Sequence, residues 1–126
     1  MPLYRRALES RERLLGKEHP NTLTSVDNLA GCMQALRDAA GALPLRRRVL
    51  ESCERVLGNE HPHTLTSVNN LAELHAGAGD AAGALPLCRR AADGFDRLLG
   101  PDHPSSRGVR ANYNQLEREV AGHTAR

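Results

Sequence analysis

Three asparagines recur at an interval of 42 residues, and their side chains are candidates for recognition chemistry. Asn28, Asn70 and Asn112 each stand in a stretch whose apolar residues have helical spacing. Asparagine is a mediocre helix former, so its use at three equivalent positions suggests a task. Its amide offers both a hydrogen-bond donor and an acceptor, which could serve a partner or satisfy carbonyls of neighbouring helices. Both roles stay open on sequence grounds.

Three histidines recur at the same interval, each followed by proline: His19, His61 and His103. A repeating fold would hold them far apart, each in the same local turn. A hydrogen bond that stabilises this turn explains all three better than metal binding or acid–base chemistry. The histidines and cysteines also make no recognised zinc spacing.

No catalytic constellation stands in the chain, which has neither a P-loop nor a GxSxG motif nor paired carboxylates. We therefore expect no enzyme activity, no cofactor and no metal.

Cys32, Cys53 and Cys88 form no CxxC motif and no disulfide framework. We expect them to be small buried residues in a reducing, cytoplasmic compartment. No apolar run approaches the roughly 20 residues of a membrane span, and no signal peptide is expected.

The charge balance does not suggest a nucleic-acid partner, because 17 Lys and Arg residues stand against 15 Asp and Glu residues. Arginine pairs do recur at the 42-residue interval, without aromatic residues for base stacking. These pairs are Arg5-Arg6, Arg47-Arg48 and Arg89-Arg90. Ion pairs with the acid four residues later, at Glu9, Glu51 and Asp93, explain them as a solvated surface.

The interval reflects an internal repeat, since 28 of 42 positions are identical between residues 2–43 and 44–85. The third unit, 86–126, is degenerate. A fixed period of this size signals a solenoid, in which each unit buries its apolar face by stacking on its neighbours. We expect one all-α repeat domain over residues 1–126.

Each period carries two amphipathic patterns, which predict antiparallel helix pairs. The predicted helices span 3–15, 22–36, 39–57, 64–78, 81–99 and 106–121. Thr64 is expected as an N-cap and Gly100 as a C-terminal cap. Arg46 stands where the other periods have Tyr4 and Cys88, so a buried Arg46 needs a partner or must extend its head group to water.

The stretches "SVNNLAELHAGAGDAAGALPLCRRAADGFDRLLGPDHP" and "LGKEHP" resemble the 42-residue tetratricopeptide repeats of kinesin light chains and their bacterial relatives. The resemblance covers residues 2–104 strongly and the last helix weakly. It implies a right-handed α-solenoid that acts as a non-enzymatic protein–protein interaction module. In bacterial relatives such arrays are often the sensor or scaffold end of larger NTPase regulators, so an alternative expectation is that this chain is a fragment of one.

In this family the first helix of each pair lines a concave groove, and the asparagine before Leu-Ala often bonds to the backbone of an extended peptide. The resemblance thus implies a peptide-binding set: Asn28, Asn70, Asn112, Asp27, Asn69, Thr24, Thr66 and Glu73. No Lys or Arg stands at these positions to hold a C-terminal carboxylate. A polar or basic extended peptide fits this surface better.

The first helix pattern opens with apolar residues whose pairing helix is missing. Leu3, Tyr4, Ala7 and Leu8 are therefore expected to form an exposed patch. Self-association through this patch, giving a homo-oligomer, is the alternative function. The last helix has arginines at 107 and 110 where the second period has Leu65 and Val68, as expected for a polar cap of a repeat array.

Overall fold

The computed structural model describes residues 2–16 and 20–124. Within these ranges the chain is built from six α-helices joined by short turns. They are α1 (Pro2–Leu15), α2 (Pro20–Ala35), α3 (Ala39–Leu57), α4 (Pro62–Gly77), α5 (Ala81–Leu99) and α6 (Pro104–Thr124). The predicted all-α class and the helix order are confirmed, and every predicted boundary lies within three residues of the observed one.

The N-terminus of α4 is capped by a histidine, so the prediction of Thr64 as N-cap is wrong. Pro62 opens the helix, and His61 Nδ1 accepts a hydrogen bond from His63 N at 3.1 Å. His103 caps α6 in the same way through Ser105 N at 3.0 Å. The expected role of the repeated histidines in the turn is thus confirmed at these two positions, whereas His19 lies outside the described residues.

The second helix of each pair begins at an aspartate cap. Asp38 Oδ1 accepts from Gly41 N, and Asp80 Oδ1 accepts from Gly83 N, both at 2.9 Å. Such caps satisfy backbone donors that have no partner within the helix. Gly100 ends α5 with a φ of +85°. L residues other than glycine rarely adopt this backbone conformation, so Gly100 acts as the expected C-terminal cap.

The turn between the paired helices shows how far the two copies have diverged. Gly79 has a φ of +87°, and its counterpart Arg37 keeps the left-handed conformation with a φ of +62°. A non-glycine residue in this conformation costs about 1–2 kcal/mol. The turn is therefore imposed on Arg37 by the helices around it rather than favoured by the residue itself.

The described chain divides into two compact units, residues 1–52 and 53–126, with the boundary inside α3. The single-domain assignment over 1–126 stays a prediction. In the first unit α1 packs on α2, and Val26, Leu29 and Ala30 are almost completely buried.

Arg46 of the first unit has the partners that its position requires. Its Nη1 donates to Asp27 Oδ1 at 3.0 Å, and its Nε and Nη2 donate to Gln34 Oε1 at 2.9 and 2.7 Å. Only 14% of its side chain is exposed. Burial raises the pKa of Asp27, and the Arg46 guanidinium opposes that shift.

In the second unit α5 packs on both α4 and α6. Leu65, Val68 and Ala91 have at most 1% exposure. Gly94 lets α4 and α5 approach closely, because a Cβ atom at Gly94 would lie 2.5 Å from Leu65 Cδ2. The second unit thus places α4 and α6 on the same side of α5, which positions the site described below.

One arginine in each of the two later pairs bridges successive second helices. Arg48 Nη1 lies 2.9 Å from Glu12 Oε1, and 42 residues later Arg90 Nη2 lies 2.8 Å from Glu54 Oε2.

Of the three ion pairs predicted within a helix, Arg89 with Asp93 is confirmed at 3.8 Å. Within 2–16 and 20–124 no such pair joins Arg5 to Glu9 or Arg47 to Glu51. Arg48, Arg89 and Arg90 thus each have a carboxylate partner within the chain.

Candidate functional site

Two neighbouring cavities lie between α4 and α6 of the second unit. The first has a volume of about 320 Å³, and we call it the carboxylate cavity because Glu73 and Glu119 line it. The second has a volume of about 400 Å³ and is lined by Thr66 and Phe95, among others; we call it the phenylalanine cavity. Asn69 and Asn112 line both cavities. Together the cavities form a groove along the two helices.

Asn69 carries an unsatisfied acceptor at the junction of the two cavities. Its Nδ2 donates to Glu73 Oε1 at 3.4 Å. Its Oδ1 is buried and has no hydrogen-bond partner within the described part of the chain. A buried acceptor without a partner costs about 1–3 kcal/mol. Because this oxygen has almost no accessible surface, a ligand could bond to it only if the Asn69 side chain turned toward the groove.

Asn112, across the groove on α6, is exposed. Its amide therefore presents both a donor and an acceptor to a molecule lying in the groove. The two asparagines face the same space from different helices, which is the arrangement needed to hold an extended backbone from both sides.

The carboxylate cavity has an acidic rim and an apolar floor. Glu119 Oε1 accepts from Gln115 Nε2 at 3.3 Å, and Glu73 is bound by Asn69. Among the described residues no cationic side chain pairs with either carboxylate. Both negative charges are thus left without a counter-charge from the described residues.

Cys88 forms part of the cavity floor and is buried, with 1% exposure. Its thiol donates to the carbonyl oxygen of Val109 at 3.7 Å. Burial raises the pKa of Cys88, the Glu73 carboxylate adds to the shift, and Arg110 opposes it. The thiol therefore behaves as a small neutral residue rather than a nucleophile. Cys53 is also buried, and Cys32 is half-buried.

The structure brings together half of the predicted peptide-binding set. Thr66, Asn69, Glu73 and Asn112 line the groove. Asn70 is half-buried and lines neither cavity, because it lies about 100° further around α4 than Asn69.

The other three members lie in the first unit. Asn28 and Thr24 are exposed there, and Asp27 is paired with Arg46. Their role in recognition stays a prediction.

Glu119 and Phe95 also line the groove, and neither was among the site residues predicted from the sequence. Glu119 lies seven residues after Asn112 and four after Gln115, so helical spacing alone could have placed it on the same face of α6. Phe95 belongs to the core pattern of α5, and no sequence signal separates a core aromatic residue from one that also lines a cavity.

The predicted self-association patch is only partly exposed. Leu3 and Tyr4 are 77% and 44% exposed, and Ala7 is exposed as well. Leu8 is 8% exposed; it belongs to the core of the first unit and adds nothing to an exposed patch. The positions equivalent to Tyr4 and Ala7 in α5, Cys88 and Ala91, are buried. The open face of α1 is thus one that a neighbouring helix covers elsewhere in the chain.

Two further searches of the described residues gave no site. Nowhere in 2–16 and 20–124 do three His, Cys, Asp or Glu side chains converge as metal ligands would. The helices of these ranges include none that is long and apolar enough to cross a membrane.

The geometry defines a class of protein: an all-α helical repeat whose first helices border a groove. Models of the tetratricopeptide repeat match residues 25–87 and residues 1–21. The chain therefore belongs to the tetratricopeptide repeat family.

Solved structures of kinesin light chain type share this fold. A putative kinesin light chain with nearly identical TPR-like repeats from Podosopora anserina is 25% identical, with a TM-score of 0.84 over 91% of this chain and 55% of that one. A variant of that protein is 24% identical, with a TM-score of 0.83 over 91% and 54% of the two chains.

A third solved structure, BtubC (BKLC) from P. vanneervenii, shows the same fold at 19% identity, with a TM-score of 0.68 over 96% of this chain and 56% of that one. The chain spans about half the length of the solved structures it matches. No curated protein sequence matches it.

Proposed function

We propose that this chain is a protein-interaction module whose groove between α4 and α6 binds an extended peptide. Membership of the tetratricopeptide repeat family supports a protein–protein interaction scaffold, a role in which the repeats are typically non-catalytic. The groove between α4 and α6 supports the more specific part of the proposal, which is that the partner is an extended peptide. The observation that carries it is the pair of cavities that meet at Asn69 and Asn112.

An extended peptide suits this groove because its backbone N–H and C=O groups are free to bond outward. The exposed amide of Asn112 can pair with one peptide unit through a donor and an acceptor. Asn69 lies across the groove from Asn112 and lines both cavities, so its amide can bond to the peptide if its side chain turns toward the groove. The cavities on either side then receive alternate side chains, which point to the same face of an extended chain about every 7 Å.

Peptides selected from a random phage-displayed library on the whole chain test this function. We expect Asn112→Ala to weaken a selected peptide about tenfold, because two hydrogen bonds of about 0.5–1.5 kcal/mol are lost. Asn114→Ala is the matched control; it removes the same amide from an exposed position of α6 outside both cavities and should change affinity less than twofold. Fluorescence anisotropy with labelled peptides measures both.

Two outcomes would contradict the proposal that the groove binds a peptide. The library could yield no peptide that binds the folded chain, or the Asn112 and Asn114 variants could bind a selected peptide equally well. Circular dichroism of each variant confirms that the helices are intact before the affinities are compared.

Self-association through α1 is the second candidate function, favoured by the exposure of Leu3 and Tyr4. In sedimentation equilibrium we expect a reversible oligomer that Tyr4→Lys converts to monomer. Leu14→Lys is the control, because Leu14 and its equivalents Val56 and Leu98 are all exposed and thus mark a face that every repeat leaves open. If the wild-type chain stays monomeric at high concentration, self-association through α1 is contradicted.

The placement of these repeats within a larger bacterial NTPase regulator stays a prediction.

A further inference from the structure

Equivalent positions of the two repeats carry different charged residues, and this difference points to the chemistry of the ligand. We propose that the carboxylate cavity receives a lysine or arginine side chain of the bound peptide. This inference rests on the proposed function and specifies which peptides the groove selects.

The first repeat shows a guanidinium held at the equivalent place by the protein itself. Arg46 on α3 is bound by Asp27 and Gln34 on α2. A Cβ atom on Gly31 would lie 3.9 Å from its Nη2, in ordinary contact. A side chain at position 31 would thus extend alongside the guanidinium.

In the second repeat the cation is missing and the carboxylate stands at a different position. Moving Asp27, Gly31 and Arg46 forward by 42 residues gives Asn69, Glu73 and Cys88. Cys88 is too short to fill the space that an arginine would occupy, and a cavity of about 320 Å³ lies there. Glu73 adds a carboxylate where the first repeat has none. The cavity therefore has the acceptors for a cation but not the cation.

Several other carboxylates of the second unit differ from these two because they have an arginine partner, although among the described residues Asp102 and Glu117 also have none. Four of its other carboxylates have an arginine nitrogen at 2.5–2.9 Å. These are Glu54, Glu60, Asp93 and Asp96. Within the described ranges Glu73 and Glu119 are instead bound only by neutral amides. A ligand cation would form with them the charge-assisted contacts that the other acids form within the chain.

The shape of the cavity fits a long cationic side chain. The floor includes Ala72, Cys88 and Leu116, all with at most 7% exposure. The methylene stem of lysine or arginine packs on such an apolar floor while its charged head reaches the carboxylates at the rim. The neighbouring phenylalanine cavity holds no charged residue in its lining, so we assign it an uncharged side chain two positions along the peptide.

The test uses the peptides selected on the whole chain. We expect one position to recur as lysine or arginine. Replacing an arginine there with citrulline, its neutral isostere, should weaken binding about tenfold on the wild type and less than twofold on Glu73→Gln. Glu117→Gln removes a charge from α6 outside both cavities, so it should retain the wild-type response to citrulline.

Cys88→Arg provides a second readout that does not depend on removing an acid. We expect it to bring its own guanidinium to Asn69 and Glu73, as Arg46 does in the first repeat, and to abolish the preference for basic peptides. If circular dichroism shows that this variant does not fold, the comparison of Glu73→Gln with Glu117→Gln still decides.

The outcomes separate the inference from the proposed function. If the selected peptides depend on Asn112 but show no recurrent basic residue, or if citrulline weakens binding equally on Glu73→Gln, the basic-residue inference is overturned and the groove stands. If no peptide depends on Asn112, the proposed function itself fails. Recurrent acidic residues would overturn the inference as well.

Discussion

Replacing Gly94 with alanine is expected to lower the free energy of unfolding by about 2 kcal/mol. A Cβ atom there would lie 2.5 Å from Leu65 Cδ2 and 3.0 Å from Cδ1. Leu65 is 1% exposed, so its side chain cannot turn into solvent to make room. Alanine also favours the helix by about 1 kcal/mol relative to glycine, but forcing α4 and α5 apart costs more. Urea unfolding followed by far-UV circular dichroism measures the change.

Gly108→Ala is the control for this prediction. Gly108 also lies in a helix, and no atom lies within 4 Å of a Cβ atom built on it. The same substitution is therefore expected to raise stability by about 0.5–1 kcal/mol. If both variants are stabilised equally, the close approach of α4 and α5 at Gly94 is wrong. Because the clash involves Leu65, Leu65→Ala should also cost less in the Gly94→Ala background than in the wild type.

Replacing Arg46 with methionine is expected to lower the free energy of unfolding by about 1–2 kcal/mol at neutral pH and by less in mild acid. The loss follows from hydrogen bonds to a charged group, discounted because 38% of the Asp27 side chain is exposed. Methionine keeps most of the packing volume, so the charge interaction dominates the change.

The pH dependence follows from the pKa of Asp27. Burial already raises that pKa, and Arg46 is the group that opposes the shift; without Arg46 the pKa rises further. A carboxyl whose folded pKa exceeds its unfolded value destabilises the fold when ionised. This cost is complete above the folded pKa and absent below the unfolded one. The deficit of Arg46→Met therefore shrinks as the pH falls through the folded pKa of Asp27.

The double variant Asp27→Asn with Arg46→Met provides the control, because it has no carboxylate at this place. For the single variant the deficit in free energy of unfolding relative to the wild type shrinks in mild acid. For the double variant this deficit should not shrink. The second repeat already has a neutral pair at these positions, Asn69 and Cys88, so the fold accommodates an uncharged version. Urea unfolding at neutral and mildly acidic pH decides; an equal deficit for Arg46→Met at both would contradict the role of Asp27.

Much of the fold could be predicted because its signals are local. Pro62, Gly79 and Gly100 mark where helices begin and end, and the resulting boundaries agree with the structure within three residues. The misplaced cap at Thr64 shows the limit of such signals. Histidine is an uncommon N-cap, and only the observed bond from His63 N to His61 Nδ1 identified it.

The 42-residue period and the helical spacing within it by themselves determined an all-α repeat, the helix order and the need of Arg46 for a partner. Only the tertiary structure decided that Asn69 rather than Asn70 faces the groove, that Glu119 joins Glu73, and that Leu8 is buried while Leu3 is exposed. The reason is geometric. Neighbouring residues of a helix point about 100° apart, so the side that meets a neighbouring helix depends on how the helices pack, which repeat spacing does not encode.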